Sequence, residues 1–282
     1  MEKQAAYLKF FELSTPKGEK SPYQIATIVL NRPKQANSFN GEMLDCITHE
    51  LEKIKNDKSI RLLIFQGAGK HFSAGADLNW MKETAQLSYE ENLSEANKLT
   101  SMFETLSLLD IPTIAVVTGG TYGGGVGIVA CCDFAIATET AKFCLSEVKI
   151  GLLPAVVLPY LNRKTQCGQL RRHVLGGKDF GAKQAKEFGL IQVETSANNI
   201  EASLHQEVNQ LLVASPEAQA SYKTLQKHLS NHSYQQGPYT AAAIAMARAS
   251  DFGKAGLNSF LQKSEAPWLC KLPEETLLLE EK

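Results

Sequence analysis

Gly119-Gly120-Thr121-Tyr122-Gly123-Gly124-Gly125-Val126-Gly127 places six glycines in nine residues, directly after the β-branched run 113–117 and ahead of an apolar helical stretch. A strand that ends in a glycine loop and restarts as a helix leaves several backbone N–H groups bare. Backed by the helix dipole, they can point at an anionic or partly anionic oxygen. Glycines also serve tight turns and close helix–strand packing, and this stretch alone fits both uses. Neither standard nucleotide signature fits. Reading G-x-G-x-x-G from Gly123 puts Ile128 in the last glycine position, and no Lys-Ser or Lys-Thr follows for a P-loop.

Working outward, a second small-residue turn, Phe72-Ser73-Ala74-Gly75-Ala76-Asp77-Leu78, also follows a strand-like run, 61–66, and opens a helix. Two such turns at the carboxyl ends of two strands can each give one N–H to a shared oxyanion hole, which stabilises an enolate formed on a thioester carbonyl. Asp77 by itself has the chemistry of a helix N-cap. Residues 25–30 form another apolar run, closed by Asn31-Arg32-Pro33, and 134–137 a fourth. Met43, Leu44, Ile47, Leu51 and Ile54 recur at helical spacing, and 78–109 is expected to be helix broken around Leu87-Ser88-Tyr89. Strands alternating with helices predict an α/β fold with parallel pairing and helical crossovers.

From about Gly181 the pattern becomes helical, over 182–188, 201–213, 216–229 and 241–249, with 190–193 the remaining strand candidate. The expected organisation is an α/β core over 1–195 and a helical part over 196–282. The acidic end, 274–282, fits a docked or frayed terminus.

The 282 residues are 44% hydrophobic and 21% charged, which excludes disorder and fibrous repeats. Lys plus Arg number 29 against 30 Asp plus Glu, so no basic excess announces a nucleic-acid or membrane partner. Cys46, Cys131, Cys132, Cys144, Cys167 and Cys270 make no C-x-x-C or Cys/His spacing for zinc or redox work, and no metal is expected. Met1-Glu2-Lys3-Gln4 leads into no signal-type apolar region, and the apolar stretches near 111–117 and 126–132 are too short to span a bilayer. A reducing cytoplasm is the simplest home.

Asn31-Arg32-Pro33-Lys34, the 72–78 turn, the triple glycine followed by Cys132-Asp133, and Ser146-Glu147 with Gly151 and Pro154 behind resemble the crotonase (enoyl-CoA hydratase/isomerase) superfamily. The match runs through Ser215-Pro216 to Phe260-Leu261-Gln262-Lys263 and Pro267-Trp268. The resemblance implies a spiral of ββα turns with a helical C-terminal trimerisation region. It also implies a homotrimer or dimer of trimers that binds acyl-CoA as substrate, without metal or redox cofactor. On this resemblance the oxyanion hole is the N–H of Ala74 and of Gly124. Lys34 and Ala36 lie along the CoA, Ala76 and Asp77 near its adenine end, and Lys263 approaches its phosphates, often from a neighbouring subunit. Phe252, Phe260 and Trp268 are expected to be buried, with the C-terminal helices packed on a neighbour or folded over the site.

The chain departs from the common hydratase pattern, which has two glutamates: the first position is Gly127 here, and the second is Glu147. Glu147 is thus the one acid/base expected, with the missing carboxylate's place left to the substrate or an ordered water. A single glutamate here is also the pattern of many Δ3,Δ2-enoyl-CoA isomerases. The wording from Gly69 to Met81, Cys131-Cys132-Asp133, and Phe143 to Val156 resembles bacterial methylglutaconyl-CoA hydratases of leucine breakdown. A substrate with a second carboxylate calls for a basic or hydroxyl group, with Lys82, Tyr122, Tyr160 and Arg163 as candidates. Some relatives bind RNA instead, a role that the balanced charge disfavours.

Overall fold

The structure, a computed structural model, describes residues 4–84, 86–165, 167–231, 246, 250–273 and 276–278. Its strands are β1 (Ala6–Ser14), β2 (Lys20–Leu30), β3 (Ile60–Gly67), β4 (Thr113–Val117), β5 (Gly120–Tyr122), β6 (Phe134–Thr138), β7 (Lys142–Cys144), β8 (Phe180–Gly181) and β9 (Val193–Thr195). The main sheet has the order β1-β2-β3-β4-β6-β9; β1 pairs antiparallel with β2, and all other pairs are parallel. A small second sheet joins β5 and β7 in parallel and β7 and β8 antiparallel.

The expected strands 25–30, 61–66, 113–117 and 134–137 are all present, whereas 190–193 shifts to β9. The four are apolar over most of their length rather than alternating, because the parallel sheet is covered on both faces. Alternate residues divide between two cores: Leu63 and Phe65 face one with Ala115 and Val117, while Leu62 and Ile64 face the other with Ile114 and Val116.

The first face is covered by α1 (Gly41–Asn56), α3 (Tyr89–Leu108) and α4 (Gly124–Cys131). Short α2 (Leu78–Thr84) precedes α3. The expected break between them is made by Ser88, whose hydroxyl accepts the Glu91 N–H at 3.3 Å while the Glu91 carboxylate accepts the Ser88 N–H at 2.8 Å. This reciprocal cap restarts the helix.

After α5 (Leu158–Lys164), α6 (Cys167–Gly176) and α7 (Ala182–Glu187), helix α8 (Ile200–Val213) lays Ile200, Leu204, Val208 and Leu212 on the second face of the sheet. Leu277 is buried in the same cluster, and its carbonyl accepts the Gln66 amide at 2.7 Å, so that part of the acidic end is docked. Helix α9 (Pro216–Asn231) follows, and α10 (Asp251–Gln262) ends just before Lys263. Trp268 is 8% exposed within its own chain. Its indole stacks on Phe252 at 5.7 Å and donates to the Val213 carbonyl at 3.0 Å, so no neighbouring subunit is needed to cover it. The expected helix over 241–249, apart from 246, and the Phe260 side chain lie outside the described residues. Among the described residues no helix is long and apolar enough to cross a membrane.

Candidate active site

The Asn31–Asn40 loop, the 72–78 turn and the glycine loop are knitted into one unit at the carboxyl ends of β2, β3 and β4. Buried Asn37 anchors it: its Oδ1 accepts the Arg32 N–H at 2.9 Å, and its Nδ2 donates to the carbonyls of Ala68 (2.9 Å) and His71 (2.7 Å). The Phe39 N–H donates to Gly75 O at 2.7 Å, and the Asp77 N–H donates to Phe39 O at 2.8 Å. This parallel bridge uses the groups on either side of Ala76, so the N–H of Ala76 itself turns away from Phe39. It finds no acceptor among the described residues.

A second parallel bridge ties the two turns together. The Ser73 N–H donates to Gly120 O at 3.2 Å, and the Tyr122 N–H donates to Ser73 O at 2.8 Å. Gly75 has φ +82, and a β-carbon there would lie 3.0 Å from Tyr122 O, so both conformation and space call for glycine. Gly123, at φ +50, caps α4 and donates its N–H to Cys144 O at 3.0 Å. In the first turn of α4 the Gly124 N–H has no acceptor among the described residues, whereas the Gly127 N–H reaches Gly123 O at 3.2 Å. The far end of α4 is closed by Lys164, whose Nζ donates to the Val129 and Cys132 carbonyls at 2.7 and 2.6 Å.

One expectation is corrected. The Ala74 N–H is not an available donor, because it is bonded to the Ala36 carbonyl at 2.8 Å; the N–H groups of Ala76 and Gly124 have no acceptor among the described residues. The Asp77 carboxylate is engaged within the chain. Its Oδ1 caps α2 by accepting the Asn79 N–H at 2.9 Å, and its Oδ2 accepts Arg32 at 2.9 Å and the Ser38 hydroxyl at 3.2 Å. Burial raises its pKa, but the Asn79 N–H and the Arg32 guanidinium outweigh that and hold the carboxyl below its ordinary value.

Glu147 opens a short 3₁₀ turn, Glu147–Ile150, after β7, the strand that pairs with the glycine-loop strand β5. Its Oε1 lies 3.2 Å from where a β-carbon on Gly123 would stand, which sets the carboxylate against the residue before the Gly124 donor. Its Oε2 is buried without a hydrogen-bond partner among the described residues. Burial pushes this carboxyl above its ordinary value, and only its own backbone N–H works the other way.

The place of a side chain at position 127 is taken. A β-carbon on Gly127 would lie only 2.4 Å from Cζ of the Phe103 ring, which is itself fully buried and packs on Tyr160 with centroids 5.7 Å apart. The expected room for a substrate carboxylate or a water is therefore filled by an aromatic ring. Only the glycine in α4 hinted at this, and a glycine alone does not say which side chain it admits.

Lys34 is exposed on the 3₁₀ turn Pro33–Gln35, next to Ala36, so both sit on the loop that braces the donors. Lys263 is exposed after α10. The segment that follows it is held by Arg61, whose guanidinium donates to Trp268 O at 3.1 Å near the amino end of β3, the end opposite the turns. One chain therefore does not bring Lys263 to the donors. Lys82 is exposed on α2, and Arg163 lies over the Tyr160 ring at 4.9 Å, on the far side of Phe103.

The profile of the family described as Enoyl-CoA hydratase/isomerase matches residues 20–271. A crystal structure of an enoyl-CoA hydratase from Shewanella pealeana is 37% identical with a TM-score of 0.83, covering 86% of this chain and 92% of that one. A short-chain-enoyl-CoA hydratase of Clostridium acetobutylicum is 30% identical over 69% of this chain and 74% of its own length. The mitochondrial Delta(3,5)-Delta(2,4)-dienoyl-CoA isomerase of Dictyostelium discoideum is 28% identical over 88% of each. Against a Thermus thermophilus protein named "Putative enoyl-CoA hydratase" the match spans 66% of the relative's length, just under two thirds. The fold, the two small-residue turns and a family profile covering most of the sequence agree: the chain belongs to the enoyl-CoA hydratase/isomerase family of the crotonase superfamily.

Proposed function

We propose that this protein is an enoyl-CoA hydratase in which Glu147 is the single acid/base. The observation that carries the reading is the pairing of two N–H donors without acceptors among the described residues, on Ala76 and Gly124, with one partly buried carboxylate next to Gly123 whose Oε2 has no partner there. The thioester oxygen accepts both N–H groups and gathers charge as water oxygen bonds to C3. The double-bond electrons move toward the carbonyl, and Glu147 takes a proton from the water and delivers one to C2. Water adds across the double bond with no external electron donor or acceptor, so the chemistry itself calls for no redox cofactor. A carboxylate whose pKa is raised by burial suits a group that must both accept and return a proton.

The substrate we favour is 3-methylglutaconyl-CoA, supported by the wording around the site. Lys34 and Ala36 are placed along the CoA. The helices after residue 196, with Lys263, would form the contacts of a homotrimer or dimer of trimers, which light scattering measures. A cytoplasmic setting agrees with the unpaired Cys46, Cys131, Cys132, Cys144 and Cys270.

A specific observation favours a second reading, a double-bond isomerase: Phe103 stands where another carboxylate would be, leaving one base to carry a proton from C2 to C4 of a 3-enoyl thioester. Assays on 3-methylglutaconyl-CoA, crotonyl-CoA and a 3-enoyl-CoA separate the two. Turnover of none of them overturns both.

A further inference from the structure

Along one face of α4, Gly124 and Gly127 lie a turn apart, and α3 runs against that face. Leu99 Cδ1 is 3.8 Å from a β-carbon position on Gly124, and the Phe103 ring, a turn further on, fills the space over Gly127. An acyl chain whose thioester oxygen sits on the Gly124 N–H, with its α-carbon beside Glu147, meets this apolar strip and then a ring. Behind the ring stands Tyr160, and behind Tyr160 is a cavity of about 550 Å³. The same two helices line that cavity: Ser107 comes one turn after Phe103, and Cys131 one turn after Gly127, with Tyr160 and Arg163 beside them.

We infer that Phe103, backed by Tyr160, is the floor of the acyl pocket: it restricts the enzyme to short acyl chains and separates the thioester site from the cavity beyond. The inference rests on the acyl-CoA reading above and adds the substrate's length to it. The fully buried Phe103 ring, backed by the partly buried Tyr160 ring at a 55° tilt, does not yield to a methylene without strain. Phe103 therefore acts as a size limit.

The test measures kcat/KM for crotonyl-CoA and for trans-2-decenoyl-CoA in the wild type, Phe103→Leu and Phe103→Ala, with thermal melts to establish folding. The wild type should prefer the short substrate. Phe103→Ala should lower that preference at least tenfold through a gain on the long one, with Phe103→Leu in between. A folded variant with the wild-type preference overturns the inference, as does a wild type that turns over both equally well. If Phe103→Ala fails to fold, Phe103→Leu decides. If the wild type acts on neither, the activity reading fails by itself. Calorimetric binding of butyryl-CoA and decanoyl-CoA then still decides the floor: decanoyl-CoA must bind at least tenfold more tightly to the variant than to the wild type, and equal binding sinks the proposal.

Discussion

Glu147 Oε1 comes within 3.2 Å of the β-carbon position on Gly123, the residue that caps α4 and precedes the Gly124 donor. Acid/base and oxyanion donor are thus set by the same turn, so one carboxylate can act on a carbon attached to the carbonyl held there. Glu147→Gln keeps the shape and removes proton transfer. Turnover of the best substrate should fall by about 10²–10⁴-fold, the scale of general acid–base catalysis, with acyl-CoA affinity in calorimetry nearly unchanged. Activity within about tenfold of wild type, some 1.4 kcal/mol in barrier, ends the assignment.

The same carboxyl sets a pH dependence. Burial raises its folded pKa above the ordinary 4.5, so the ionised form is disfavoured in the fold. Its stabilising contribution is full below pH 4.5 and is lost as pH rises through the folded value. The base form is the active one, so kcat/KM should fall as pH drops through the raised pKa, with an acid limb above that of a free carboxylate. Conversely, Glu147→Gln should melt at the wild-type temperature or higher at pH 7, and the two melting curves should converge near pH 4. A variant clearly less stable at pH 7 contradicts this.

Gly124→Ala places a β-carbon 2.9 Å from the Phe39 ring and shifts the donor. Loss of one oxyanion donor costs about 10²–10³ in kcat. Steady-state kinetics should show a fall on that order, larger in kcat than in KM; unchanged kcat would remove Gly124 from the site.

Arg32 and Asp77, with side chains 18% and 12% exposed, hold the Ala76 segment. Arg32→Met should lower stability by about 1–3 kcal/mol in urea unfolding, the usual range for a mutation that breaks a buried polar network. It should also reduce kcat through the misplaced Ala76 donor. A change confined to KM for CoA would instead favour a direct contact of Asp77 with the coenzyme.

Gly127→Glu is expected to fail as a repair of the missing carboxylate. Its side chain meets the Phe103 ring in a packed core. Overpacking costs typically about 1–3 kcal/mol, before the burial of a charge is added. Lower melting temperature with no gain in hydratase rate is the expected result, and a faster enzyme would contradict the packing.

The sequence by itself determined the parallel α/β core, the helix break around Ser88 and the two small-residue turns, because these follow from local patterns of apolar spacing and glycine; the reciprocal cap that makes the break came from the structure. It also singled out Glu147. It did not show which N–H in the 72–78 turn stays bare. Ala74 and Ala76 look alike in sequence, and only the Ala36 carbonyl and the Phe39 bridge, nearly forty residues earlier, engage the first N–H and leave the second free. Asp77's N-cap role was legible locally, whereas its ion pair with Arg32 depends on a loop brought in by β2. The Gly127 position could be seen as a missing carboxylate. That Phe103 fills it was decided by the packing of α3 on α4, a contact between helices that no local pattern encodes.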